Sequence, residues 1–534
     1  MSKIEQYTSR RRLAKHMLKV ERFGATLTSV RYPHSSSCII ALIVCLLGGC
    51  AIGDDVDDRE GPYEPDWESL STYEAAPAWF RDAKFGIYLH WGVLSVPAFA
   101  HDWYPRTMHI ADSREYQHQV ETYGPLSEFG YHDFVPRFTA EHFDADAWAT
   151  LFQQAGARFA GLVAEHHDGF SMWDSDVNPW NAADQGPHKD LVGALEQAIH
   201  SRDMRFVTTF HMARNLQIYA DRPEAKTDSS YFPYEEGMAT SSVDPELRIL
   251  YGNIPPEQFY QNWNAKLKEV IDHYHPDLIY FDGMLGKLPE ANKLDFLTYY
   301  LNSAHRWERD VVVTHKNGEL PETISVPDYE KGRMDEITPD PWLTDETVST
   351  GSWSYTDDLS LKPVSEILHV LIDVVSKNGV LMLNISPRAD GTIPQDQQDV
   401  LRTLGGWLAA YGEAIYETRP WTVYGEGPTK LEKGGHFLPR VTYTSQDIRY
   451  TKKGDTLYAI ALGWPGAQQE VLFTALAKNR LNGKDITNVS MLGTSETLAW
   501  TWRDDGLAVT TPAEPVDEMA VVFKIQTTGL ADEN

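Results

Sequence analysis

From Trp79 onward, short and almost wholly apolar runs of β type alternate with amphipathic stretches of helical period. No other feature constrains the fold as much, because it predicts a parallel sheet covered by helices. Strands are expected over 85–91, 159–165, 206–211, 278–282, 311–315 and 380–385, and their continuous hydrophobicity suits strands buried on both faces. Helices are expected over 143–154, 191–200, 258–273, 293–307, 364–377 and 397–411. The polar residues fall in a telling place. His90, Glu165, His166, His167, His211, Asp282 and Lys316 all stand at or just past the C-terminal end of an expected strand. In a (β/α)8-like TIM barrel those ends form one face, the catalytic one. The reading is therefore an α/β barrel over residues 71–420, since a doubly wound sheet would not gather so many strand ends.

After Pro420 the pattern changes to short alternating runs at 456–461, 470–473, 507–511 and 519–525, separated by Gly, Pro and Asn. This predicts a C-terminal all-β sandwich over 421–534, with the junction inside 418–424. A chain of 534 residues has room for one large fold and such an appendage. With 42% hydrophobic and 12% aromatic residues, global disorder is excluded.

The first fifty residues are a separate object. They hold eight basic and two acidic residues, so the net charge of −30 conceals a remainder at −36. The basic run leads into an apolar stretch, 38–47, too short to span a bilayer core of about 30 Å. That is a secretory signal pattern. It closes on Leu47-Gly48-Gly49-Cys50, which resembles a bacterial lipoprotein box in which the Cys50 thiol takes the lipid. Residues 51–70 read as an acidic tether. The expectation is an exported lipoprotein of the outer membrane or periplasm, touching the membrane only through its anchor. All three cysteines, Cys38, Cys45 and Cys50, lie in this stretch, so no disulfide framework is expected in the rest. The scattered basic residues and strong negative charge exclude nucleic acid as a partner.

Three segments carry chemistry. Asp282 closes the apolar run 278–281 with Gly283 behind it, which places a carboxylate at a site mouth; the alternative is a helix cap or turn residue. Glu165-His166-His167-Asp168-Gly169 offers paired imidazoles. They could ligate a metal, but they would point in opposite directions if the strand continued, and no metal-site spacing accompanies them. Imidazoles donating to and accepting from substrate hydroxyls fit better. His90-Trp91-Gly92 is followed by Asp102-Trp103-Tyr104-Pro105, and flat apolar faces beside polar groups suit a sugar ring.

These segments extend into longer motifs: KFGIYLHWGVLSVPA, FTAEHFDADAWATLFQQAGARFAGLVAEHHDGFSMWDS, KDLVGAL, HPDLIYFDG, NGVLMLNISPRADGTIP and GEAIYETRPW. Together they resemble the α-L-fucosidases of glycoside hydrolase family 29, well over residues 79–421 and more loosely beyond. The resemblance implies a retaining exo-glycosidase acting on terminal α-L-fucose of fucosylated oligo- or polysaccharides, with no metal or organic cofactor. It places Asp282 at the family's nucleophile and matches His90, His166 and His167 to sugar-binding histidines. Trp103 and Tyr280 match pocket aromatics, and Trp91, Trp353 and Tyr355 are expected to line the same pocket. Three departures stand out: Asp102 where a Glu is frequent, Thr209-Phe210-His211 where a Tyr-Tyr-Ser run is frequent, and Lys316 where an Arg is common. They leave open a related sugar such as α-L-galactose, or sulfated fucans, but not the reaction class; a separate alternative is a non-catalytic glycan-binding lipoprotein that keeps the pocket but lacks a working acid/base. The acid/base partner is the residue the resemblance fixes least. Candidates are Asp328, Glu330, Asp335, Glu336, Asp345 and Glu346, with Glu330 favoured for its loop distance from Lys316 and its aromatic neighbour.

Overall fold

The computed structural model describes residues 61–217, 230–481 and 485–530. The expected signal segment with Cys50, and residues 51–60 of the expected tether, lie outside the described residues. Residues 61–70, also expected to be tether, are instead packed. Tyr63 N–H donates to Asn302 Oδ1 at 3.0 Å and Asn302 Nδ2 donates back to the Tyr63 carbonyl at 2.9 Å. A helical turn, Trp67–Leu70, follows, capped by Asp66 and burying Leu70. Three apolar anchors in an otherwise acidic stretch suffice to fix it.

Eight parallel strands form the barrel: β1 Phe85–Leu89, β2 Phe159–Glu165, β3 Arg205–Phe210, β4 Leu278–Phe281, β5 Val312–His315, β6 Val326–Pro327, β7 Trp342–Thr347 and β8 Gly379–Ile385. They pair in the order β6-β5-β4-β3-β2-β1-β8-β7, and a single bridge between Asp328 and Leu343 joins the ends into a nearly closed barrel. Helices Ala145–Gln154, Leu191–His200, Pro256–Tyr274, Glu290–Arg306 and Val364–Ser376 cross between strands, and Gln395–Tyr411 follows β8. Asp144 and Asp190 cap the first two through backbone N–H groups. No helix intervenes between β5 and β7, so that wall of the barrel is built from loops.

Strand alternation decides which side chains face inward. Tyr88, Val207, Leu278, Tyr280, Val312, Val326, Leu343, Val380 and Met382 pack together inside the barrel. Their neighbours Ile87, Leu89, Phe206, Phe210, Ile279, Phe281, Val313 and Leu381 pack outward against the helices. Continuing the inward parity past each strand end reaches His90, His211, Asp282, Lys316, Asp328 and Glu330, and within β7 and β8 it reaches Asp345 and Asn384. The site is therefore the next layer above the apolar interior.

The antiparallel strands begin with β9 Arg419–Glu426. With β10 Ile448–Lys453, β11 Thr456–Ala461, β13 Ile486–Met491 and β16 Val521–Thr527 it forms a five-stranded sheet, facing a three-stranded one of β12 Glu470–Phe473, β14 Trp500–Arg503 and β15 Gly506–Thr510. Phe473, Leu507, Val509, Phe523 and Ile525 fill the space between the two. Buried charge joins this sandwich to the barrel: Asp373 accepts from Arg449 Nε at 2.6 Å and from Lys377 Nζ at 2.9 Å.

Candidate active site

Lys316 occupies the centre. Leaving β5 with inward parity, its ammonium donates to Asp282 Oδ1 at 2.5 Å and to Glu330 Oε2 at 2.7 Å. It lies 3.8 Å from carboxylate oxygens of both Asp328 and Asp345, and it sits over the Tyr280 ring at 5.6 Å. One ammonium bonded at those two distances keeps these Asp282 and Glu330 oxygens within about 5 Å of each other, nearer the carboxyl spacing of retaining glycosidases than the wider one of inverting enzymes.

The two carboxyls differ in proton affinity. Burial would raise Asp282, but the Lys316 ammonium, then His211 and the imidazole contacts, hold it well below the usual carboxylate range. His167 Nε2 and His211 Nδ1 both lie 3.3 Å from Asp282 Oδ2. Glu330 is pushed up to about 7: burial dominates, Asp345 and Asp282 add repulsion, and Lys316 only partly offsets them. One group is thus an anion at neutral pH and the other is poised between acid and base.

Beneath them lies a carboxyl pair. Tyr280 Oη is 3.1 Å from both Asp328 Oδ2 and Asp345 Oδ2, Tyr88 Oη donates to Asp345 Oδ2 at 2.9 Å, and the Asp345 N–H donates to Asp328 Oδ1 at 3.1 Å. Burial, followed by repulsion from Asp345, raises Asp328 well above its ordinary value. Both carboxyls are buried and bonded to the Tyr88 and Tyr280 hydroxyls, and their negative charge helps hold the Lys316 ammonium protonated.

The histidines line the opposite wall. His90 lies 5.5 Å from His166 and 5.1 Å from His211, and His166 lies 4.6 Å from His167, between ring centres. His166 and His167 would diverge only if the strand continued, and it does not. A register shift after Val163 turns Glu165 outward, where Ser171 Oγ and Lys266 Nζ bond it at 2.6 and 2.5 Å, and the strand ends there. Glu165 therefore leaves the catalytic face, and both imidazoles that follow it are free to turn into the pocket. Burial lowers His90, His166 and His211, the last to about 4, so these rings are neutral. His90 Nδ1–H donates to Asn384 Oδ1 at 2.9 Å, leaving Nε2 as an acceptor. Nitrogens of His90, His166 and His211 lie within 4.8 Å of one another, as do ligand atoms of His167, His211 and Asp282, so either group could hold a metal. Neutral acceptors and donors at that spacing equally match the hydroxyls of one sugar ring.

Aromatic faces complete the enclosure. Trp353 stands 5.3 Å from His90, Trp103 stands 5.6 Å from His167, and Tyr231 stands 5.1 Å from His167. Asp102 is a buttress: its Oδ1 accepts the Trp353 N–H at 3.3 Å. Trp91 does not belong to the pocket. Its odd parity turns it outward, where the indole donates to the Arg388 carbonyl at 2.7 Å and packs on Phe138, Phe143 and Trp148. Among the other acid/base candidates, Glu346 is paired with Lys362 at 2.5 Å and points opposite to Asp345, while Asp335 and Glu336 lie on the side of Tyr424. Sequence reasoning missed Tyr88, Tyr231, Asn384 and His436. Asn384 was available from the parity of its own strand, whereas His436 arrives from the C-terminal region with no local signal.

A barrel carrying two carboxyls of opposite proton affinity at this spacing, amid neutral imidazoles and aromatic faces, falls in the class of glycoside hydrolases. Residues 51–413 match the family described as Alpha-L-fucosidase and residues 442–526 the one described as Alpha-L-fucosidase C-terminal domain. Tissue α-L-fucosidase of Bos taurus is 31% identical over 495 residues, 88% of this chain and 92% of the bovine protein; that of Homo sapiens is 32% identical over 477 residues, 86% and 90%. The Thermotoga maritima α-fucosidase solved in complex with fucose is 27% identical with a TM-score of 0.69, covering 87% of this chain and all of that one. The chain belongs to the α-L-fucosidase family of glycoside hydrolases.

Proposed function

We propose that this chain is a retaining exo-α-L-fucosidase in which Asp282 is the nucleophile and Glu330 the acid/base. The supporting observation is the single Lys316 ammonium bonded to both carboxyls, one kept ionised and the other raised to about 7. Asp282 attacks the anomeric carbon while Glu330 gives its proton to the departing glycosidic oxygen, forming a β-fucosyl ester and a free alcohol. Glu330 then takes a proton from water, whose oxygen displaces Asp282 and restores the α-configured sugar. His90, His166, His167 and His211 hold the ring hydroxyls, and Trp103 and Trp353 face its apolar side. The sugar assignment draws on the relatives, among them the T. maritima enzyme, solved with fucose and with a mechanism-based inhibitor.

Replacing the two carboxyls tests the reading. Asp282→Gly is expected to abolish turnover of an aryl α-L-fucoside and azide to restore it, giving β-fucosyl azide. Glu330→Ala is expected to lose roughly 10²–10⁴-fold on poor leaving groups and far less on activated ones. Unchanged hydrolysis by the first variant, or a loss independent of leaving group in the second, overturns the assignment.

A further inference from the structure

We propose that Phe437, delivered by the C-terminal region, is the platform on which the leaving-group sugar rests; this builds on the reading of Glu330 as the acid. The segment 427–447, between β9 and β10, runs along the loop that carries Glu330. Gly435 N–H donates to the Arg333 carbonyl at 2.9 Å, Phe437 N–H to the Glu330 carbonyl at 2.8 Å and Leu438 N–H to the Lys331 carbonyl at 3.1 Å. In return, the Glu330 N–H donates to His436 Nδ1 at 3.0 Å, and the His436 ring lies 5.2 Å from that of Tyr329. The approach is close enough that a Cβ on Gly332 would meet the Gly435 carbonyl oxygen at 2.4 Å. The helix-free wall of the barrel is thereby completed by the sandwich.

Phe437 is anomalous in this setting. It is 65% exposed, and among the described residues Ile110, Val120 and Val243 are the other large exposed hydrophobics, none of them aromatic. Its φ of +50° is one a bulky side chain rarely adopts, and the hydrogen bonds at 437 and 438 hold it there. The position explains the use. The glycosidic oxygen must sit against the Glu330 carboxyl, so the sugar beyond it leaves the pocket on the side where Phe437 shares a peptide hydrogen bond with Glu330. A phenyl face there suits a leaving group with an apolar pyranose face, such as a β-configured hexose or N-acetylhexosamine.

The test compares Phe437→Ala and Phe437→Trp with wild type, all as full chains, on α-L-fucosyl fluoride and on a fucosyl-N-acetylglucosamine disaccharide. Phe437→Ala is expected to lower the disaccharide-to-fluoride ratio of kcat/KM about fivefold, mainly through KM, and Phe437→Trp to restore it. An unchanged ratio, whether both rates fall together or neither falls, overturns the platform role. Wild-type turnover of the fluoride reports on the fucosidase reading separately: a wild type inactive on both substrates overturns that reading and this one, whereas an active wild type with an unaltered ratio overturns only this one.

Discussion

Removing the positive charge of Lys316 is the sharpest probe of the site. Lys316→Met keeps most of the volume and withdraws an ammonium lying 2.5 Å from Asp282 and 2.7 Å from Glu330. At an effective dielectric of ~20, two unit charges 4 Å apart interact by about 4 kcal/mol. The ammonium is shared with Asp328 and Asp345 at 3.8 Å, and water entering the gap recovers part of the loss, so about 2 kcal/mol per carboxylate is a reasonable remainder. At about 1.4 kcal/mol per pH unit, that exceeds one unit. The sign is the same for both groups: without the cation each carboxyl keeps its proton to higher pH. With Asp282 as nucleophile and Glu330 as acid/base, as proposed, the acid limb of the kcat/KM profile would follow ionisation of Asp282 and the alkaline limb deprotonation of Glu330, and both are expected to move upward by more than one pH unit, carrying the optimum with them. Lys316→Arg retains the charge and is expected to leave the limbs in place while changing kcat/KM, because a guanidinium fork replaces a compact ammonium. The assay is a pH series on one aryl fucoside. A Lys316→Met enzyme that is merely slower, with both limbs where the wild type has them, refutes the reasoning.

Two further predictions concern stability. Lys84 is buried at the base of the barrel, and burial, with Arg419 adding repulsion, lowers it to about 7. The unfolded chain therefore binds the extra proton between about pH 7 and 10.5, and the cost of burying Lys84 shrinks as pH rises through that window. Lys84→Met is expected to raise Tm more at pH 6 than at pH 10; a gain independent of pH counts against it. Asp373 neutralises Lys377 and Arg449 where the sandwich meets the helix Val364–Ser376. Asp373→Ala leaves two buried cations unpaired, and denaturant unfolding is expected to show a loss of about 3–5 kcal/mol; a loss below 1 kcal/mol would contradict this account.

The six strands expected from their apolar runs all exist, with ends within two residues, because burial on both faces leaves a signal that needs no tertiary information. β6 and β7 escaped notice for opposite reasons. Val326–Pro327 is too short to register, and Trp342–Thr347 carries Thr344, Asp345, Glu346 and Thr347, which read as loop. That polarity is itself a product of position, since the upper barrel interior is where Tyr88 and Tyr280 hydrogen-bond carboxyls. Alternation could have removed Trp91 from the pocket and added Asn384, since adjacent residues of a strand cannot share a face. The outward turn of Glu165 could not have been read, because it depends on a register shift against β3. His436 and Phe437 lie more than a hundred residues from Glu330, and only the docking of the sandwich brings them to it.

The shared ammonium also gives the catalytic cycle a means of reversing itself. In the resting enzyme Glu330 is raised by the negative charge of Asp282 and lowered by Lys316. In the proposed cycle, esterification would remove the charge of Asp282, so the repulsion would disappear while Lys316 would lose its nearest competing anion and act more fully on Glu330. Both changes lower the proton affinity of Glu330 just after it has given its proton away. On that mechanism the acid of the first half-reaction would become the base of the second through charge alone, and hydrolysis of the ester would restore the charge that recharges Glu330 for the next sugar.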